Sequence, residues 1–204
     1  MKKFYIDDDD CEALSSLRTK NDLFNMVGQG LIKHLCLLDY PPETLSSPIY
    51  KGLMSRAIEA EAAYRKKMEE IFKKYCKDEL VSFYTINIAT GTLAVRDKLD
   101  PLAIKDMTGE VEENYRGAVQ RYNFIMGREI DNIVFLITHH FEDKDDSFLD
   151  SEIVKKRMEH FEEADIQKMR FESGTAALMF DDESVEMSQT ISYSRYSETV
   201  RMIV

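Results

Sequence analysis

The densest run of side chains able to do chemistry is His139-His140-Phe141-Glu142-Asp143-Lys144-Asp145-Asp146. On a helix, His139 lies one turn from Glu142 and Asp143, a spacing that brings imidazole and carboxylate toward one divalent ion. A hydrolytic metal site needs about three protein ligands and further groups from elsewhere in the chain. The signatures that usually supply them are missing: no HExxH, no HxH, and no paired ExxH of the kind that builds di-iron bundles. Read as a calcium loop from Asp143, the run places Phe148 where the turn needs glycine and Val154 where the last ligand should be glutamate. The expectation is therefore a solvated helix end followed by an acidic loop. His139, His140, Glu142 and Asp143 stand as the metal candidates, and no resident metal or cofactor is expected.

Other reactive groups carry even less pattern. His34 lies on an apolar helical face and reads as a core histidine, while His160 sits between Glu159 and Glu163 and reads as surface. Neither GxSxG nor SxxK with its companion motifs occurs, so no nucleophile is assigned. Val27-Gly28-Gln29-Gly30 lacks both a preceding strand and a third glycine, which removes it as a dinucleotide fingerprint. Cys11, Cys36 and Cys76 are widely spaced and odd in number. They are expected to be buried thiols in a reducing compartment. No catalytic residue is assigned.

The elements that must position these groups follow from hydrophobic period. Leu23, Met26, Val27, Gly30, Leu31, His34, Leu35 and Leu38 recur at three- and four-residue steps, predicting a helix over about Asp22–Leu38 capped by Asn21 or Asp22. Phe24, Ile32, Cys36 and Leu37 widen its apolar face, so this helix is expected to be largely buried. Asp7–Asp10 is either a tail or the first turn of a helix, where acidic residues suit the dipole. Ser47-Pro48 reads as a cap and first turn, opening a helix to about Lys77 with Ile49, Leu53, Ala57, Ala60, Tyr64, Met68, Ile71 and Tyr75 inward. Glu61–Arg65, Glu69–Lys73 and Glu70–Lys74 are ordered to pair along its surface.

Leu80–Val95 changes to a β pattern. Tyr84, Ile86 and Ile88 fall on one side, and Ala89-Thr90-Gly91-Thr92 forms the turn of a hairpin. Asp100-Pro101 starts a short helical turn through Met107. A second long helix is expected from Thr108 to about Phe141, with Glu129 on its inward seven-residue rhythm, although Asn132–Phe141 also fits a buried strand. Ser151 caps a third helix to about Glu172, with Val154, Met158, Phe161, Ala164 and Met169 inward and Gly174 as its stop. The remaining chain is expected to run in strands from Ala176. Val185, Met187, Gln189, Ile191 and Tyr193 alternate with polar residues, and Thr199–Val204 forms another strand. That terminal strand pairs either within its own domain or with a neighbouring subunit.

The fold class expected is α+β: long antiparallel amphipathic helices with a β-hairpin and C-terminal antiparallel strands. One domain over residues 1–204 is expected, with a helical body over about 11–172, the hairpin over 80–95 and the C-terminal strands over 176–204. Of the 204 residues, 44% are hydrophobic and 32% charged, and the net charge of −11 repels phosphate backbones. Sequence-specific nucleic-acid binding is thus not expected, and the basic excess in Lys51–Lys77 reads as a solvated face. No apolar stretch follows Lys2-Lys3 and the longest apolar run is Ile133–Ile137, so neither a secretory signal nor a membrane span is expected.

These features lean toward assembly over catalysis. Tyr84, Ile86, Ile88, Tyr193 and Tyr196 are the interface candidates, since tyrosine suits surfaces that are dry at one end and wet at the other. In outline, long helices with a hairpin and extended strands resemble small bacteriophage head-to-tail connector (adaptor) proteins, a likeness of architecture that no motif carries. It implies a non-enzymatic subunit in a homo- or hetero-oligomer with other protein subunits, cytoplasmic or incorporated in a virion assembled there. The alternatives are a metal-dependent hydrolase or helical-bundle enzyme using the His139–Asp146 run, and an acidic inhibitor or antitoxin-like module.

Overall fold

The computed structural model describes residues 2–38, 40–77, 83–96, 104–107, 113–179, 190–194 and 199–203. It is mostly helical with antiparallel strands, an α+β chain. The elements in chain order are β1 (Lys2–Tyr5), α1 (Asp8–Leu37), α2 (Pro48–Tyr75), β2 (Phe83–Asn87), β3 (Thr92–Arg96), β4 (Ile104–Met107), α3 (Glu113–Thr138), α4 (Glu152–Met179), β5 (Thr190–Ser194) and β6 (Thr199–Ile203). Two compact units arise from discontinuous segments: Met1–Ser15, Lys66–Tyr122 and Gln167–Val204 in unit 1, and Ser16–Arg65 with Asn123–Ile166 in unit 2.

α1 begins at Asp8, well before the Asp22 start that hydrophobic period alone would give it. Asp7 is its cap, its Oδ1 accepting the Asp10 amide at 2.9 Å, and Asp8–Asp10 fill the first turn. The helix then continues through Asn21 and Asp22, which therefore cap nothing. The polar residues that break the apolar rhythm there are bonded in place: Ser16 donates to Glu162 at 2.7 Å and buried Thr19 to Asp165 at 2.9 Å. Pairing removes the cost of carrying such groups on a packed helix. At α2, the Ser47 hydroxyl accepts the Tyr50 amide at 3.3 Å, the cap its sequence announces.

In unit 1, β1, β3 and β2 form one antiparallel sheet in that order, with Tyr84 opposite Val95 and Phe4 opposite Leu93. β1 has no counterpart in the expected elements. The β2–β3 turn requires glycine at position 91, where φ is +64°. Asn87 Oδ1 accepts the Ala89 and Thr90 amides at 3.1 and 3.2 Å, and Gly91 O accepts the Ile6 amide at 2.8 Å. The turn thereby fixes the end of β1 as well as the hairpin. A second antiparallel sheet has the order β4-β6-β5. Residues 104–107, expected in a helical turn, are β4 and pair with β6 from Ile104–Ile203 to Met107–Val200. β6 also pairs with β5, so the terminal strand finds both partners within the chain.

Two further bounds change. α3 is helical through the segment that also suited a strand, ending at Thr138. α4 passes through Gly174 to Met179, so residues 176–179 are helix instead of strand; Ala176, Ala177, Leu178 and Met179 are strong helix formers that carry the backbone past one glycine. Residues 108–112, 180–189 and 195–198, including the expected strand start at Val185 and Tyr196, lie outside the described residues.

The core of unit 2 gathers Leu23, Val27, Leu31 and Leu35 of α1, Ile49 and Leu53 of α2, Met126, Ile130, Ile133, Val134 and Ile137 of α3, and Phe161 and Ala164 of α4. Complete burial of side chains such as Leu31, Ile137 and Phe161 contributes about 1.5–3 kcal/mol each. The expected wide burial of α1 is corrected. Met26 is 41% exposed, Ile32 46%, Leu37 73% and Leu38 56%, and Cys36 is exposed too. The Leu23–Leu35 stripe meets core partners with half-buried Phe24 packed beside it, since a helix presents about 100° of its circumference to one packing layer. On α2, Glu70 pairs with Lys66 at 3.9 Å, because Lys74 turns to Asp7 and Asp10 at 2.6 and 2.7 Å.

Candidate interaction surface

The displaced hydrophobes of α1 run into one end of unit 2. After Leu37 and Leu38 the chain passes exposed Tyr40 and a 3-10 turn at Pro42–Ser46 that leaves Leu45 42% exposed. Tyr40 meets Phe141 edge to face at 5.9 Å, which joins the α1–α2 connection to the α3–α4 connection. Arg56 of α2 reaches the same place, at 3.5 Å from Asp146 and 2.9 Å from Asp150. Gly52, one turn before it, has no room for a side chain: a Cβ there would overlap the Asp146 carboxylate.

This end is acidic as well as apolar. Glu142, Asp143, Asp145 and Asp150 are exposed, and Lys144 is the cation among them. Asp145 accepts the Ser147 amide at 2.9 Å, and hydrogen bonds from Ser147 hold its carboxyl below the usual aspartate range. It therefore stays ionised and adds to the negative field.

The metal candidates are spent locally. His139 Nδ1 lies 2.7 Å from the Phe135 carbonyl, and its ring touches the Phe135 ring at 4.4 Å. His140 Nδ1 lies 2.8 Å from Asp143 Oδ2, and its ring stacks on Phe148 at 3.5 Å and 15°. Glu142 is exposed and joins neither histidine in a described contact. Among the described residues, no group of three or more His, Cys, Asp or Glu is placed to hold a metal ion. The arrangement positions side chains for packing and hydrogen bonding at a helix end.

The interface candidates of unit 1 are placed differently. Tyr84 is half-buried and stacks on Phe72 of α2 at 4.4 Å, Ile86 is half-buried on the same side of β2, and Ile88 falls in the turn beyond the strand. Tyr193 lies in β5 opposite Val200. His34 is half-buried and His160 exposed; of the three thiols expected to be buried, Cys76 is buried, Cys11 half-buried and Cys36 exposed.

One buried charge has no counterpart in the motif reading. Glu129 of α3 is fully enclosed, with Arg128 at 3.1 Å from Oε1 and Arg157 of α4 at 3.1 Å from Oε2. Burial pushes its carboxyl up, and the hydrogen bonds from Arg157 and Arg128 outweigh this and hold it below the usual glutamate range. Both oxygens are committed, so the group acts as a tie between helices. The surface hydrophobes carried a signal that periodicity alone could have exposed: Phe124 and Phe135 lie three turns apart on the side of α3 away from Ile130 and Val134.

No helix among the described residues is long and apolar enough to cross a membrane. Comparison with protein-family models, curated proteins and solved structures finds no match to this chain.

Proposed function

We propose that this chain is a non-enzymatic assembly protein that docks on another protein through the 37–45 and 140–150 end of unit 2. The observation that carries the reading is the juxtaposition, at one end, of exposed Leu37, Leu38, Tyr40 and Leu45 with the acidic side chains at 142–150. Apolar side chains left in water beside a charged rim are the makings of a contact with an apolar centre and a polar edge. The partner that fits is apolar and basic. The same end of a second copy does not fit, because a symmetric contact would set these carboxylates against themselves. A bacteriophage head-to-tail connector, the likeness carried by the element pattern, is one setting that demands such a surface.

Amine-directed cross-linking in the source cells tests this, because Lys33, Lys51 and Lys144 are exposed and flank the patch. Cross-links from these lysines should converge on one partner at a segment rich in lysine or arginine, and Leu37→Asp with Leu38→Asp should abolish them. A partner pattern unchanged by that double substitution, or no recurrent partner, overturns the proposal.

A further inference from the structure

α3 presents a second exposed face, and its residues repeat in mirror order. Phe124 is 69% and Phe135 59% exposed, three turns apart on one stripe. Arg128 and Asp131 lie on that stripe between them, both exposed. Gly127 beside them has nothing within 4 Å of the position its Cβ would take, so the backbone there is open to approach. Arg128 uses part of its guanidinium on Glu129 and keeps further donors free; its side chain is 56% exposed. Asp131 makes no hydrogen bond or ion pair among the described residues.

We infer that this face pairs with the same face of a second copy of the chain, α3 against α3 in antiparallel register about a twofold axis between Glu129 and Ile130. In that register each residue lies opposite the one equally far beyond the axis. Phe124 then faces the second copy's Phe135, and Arg128 faces the second copy's Asp131, each contact occurring twice. A twofold interface must be self-complementary in this sense. The ordering aromatic, cation, anion, aromatic satisfies it in both terms: ring meets ring, and opposite charges meet. A partner of unrelated sequence has no reason to select this mirrored order. The inference deepens the assembly reading by naming one partner and rests on it only in taking exposed apolar surface as contact surface; the face concerned is a different one.

Sedimentation equilibrium on the full chain tests it. The native protein should dimerise reversibly with a micromolar dissociation constant, as suits one short helical contact, and be mainly dimeric at about 100 μM. Phe124→Lys and Phe135→Glu should each weaken the dimer by at least about tenfold, with helical content and unfolding midpoint retained because both side chains are exposed. An equimolar mixture of the two variants should recover association: across one contact the new lysine faces the new glutamate, and across the other the unaltered phenylalanines meet. A native chain that stays monomeric at that concentration, a dimer indifferent to both substitutions, or a mixture that fails to recover would each overturn it. Loop-end cross-links to a basic partner would persist in those cases, so this inference can fail while the assembly reading survives.

Discussion

Arg157 on α4 donates to the Glu129 carboxylate on α3 across 3.1 Å, tying two helices through a group that solvent does not reach. Removing the arginine leaves the buried charge without its partner from the other helix. Arg157→Leu should therefore destabilise the chain by about 2 kcal/mol, the scale of a hydrogen bond to a charged group. Replacing Glu129 together with both arginines by apolar residues should cost much less, because no unpaired charge remains. Urea unfolding midpoints compare the two; equal losses would show that the tie contributes little.

Acid should loosen the protein through a defined set of carboxylates. Hydrogen bonds from Lys74 to Asp7 and from Lys67 and Lys74 to Asp10 hold both carboxyls below the aspartate value of 3.8, and Glu129 sits below the glutamate value of 4.5. Groups with depressed folded values contribute stability that is complete above their unfolded values and lost as pH falls through the folded ones. Asp22 works in the opposite sense, since burial raises its carboxyl, and its contribution fades as pH rises through that raised value. Thermal midpoints should thus hold near neutrality and fall steadily below about pH 4.5. Lys74→Met should flatten the acid limb; an unchanged limb would remove the Asp7–Asp10–Lys74 network from the account.

Gly52 and Asp146 should behave as one unit. A methyl group at position 52 strikes Asp146, whose carboxylate lies near Arg56. Gly52→Ala gains helix propensity of about 1 kcal/mol but suffers overpacking of about 1–3 kcal/mol, so a net loss is expected. Asp146→Ala should relieve the clash, making the double variant more stable than the sum of the single changes. Additive losses would mean that the α2 contact with the 142–150 segment does not persist in solution.

Part of this architecture was legible locally. Ser47-Pro48 announces a helix start because a hydroxyl and a ring act within one turn, and Ala89-Thr90-Gly91-Thr92 announces the hairpin turn for the same reason. The Leu23, Val27, Leu31 and Leu35 stripe was equally plain, since 3.6-residue spacing needs no partner to be seen. For the surface, residue type named candidates without their neighbours. His140 reached Phe148 and Asp143, and Tyr84 found Phe72, while Leu37 and Leu38, expected on the buried face of α1, became part of the exposed patch.

Sequence alone determined where backbone torsions and short-range hydrogen bonds begin and end most elements, because those forces act over a few residues. Tertiary structure decided whatever depends on a distant partner. Ile104–Met107 is a strand because β6 lies beside it, α1 extends back to Asp8 because Glu162 and Asp165 receive Ser16 and Thr19, and Glu129 can be buried because Arg157 arrives from another helix. It also decided which of two apolar sides of α1 meets a core, since hydrophobic side chains state a preference for burial and only packing sets which of them obtain it.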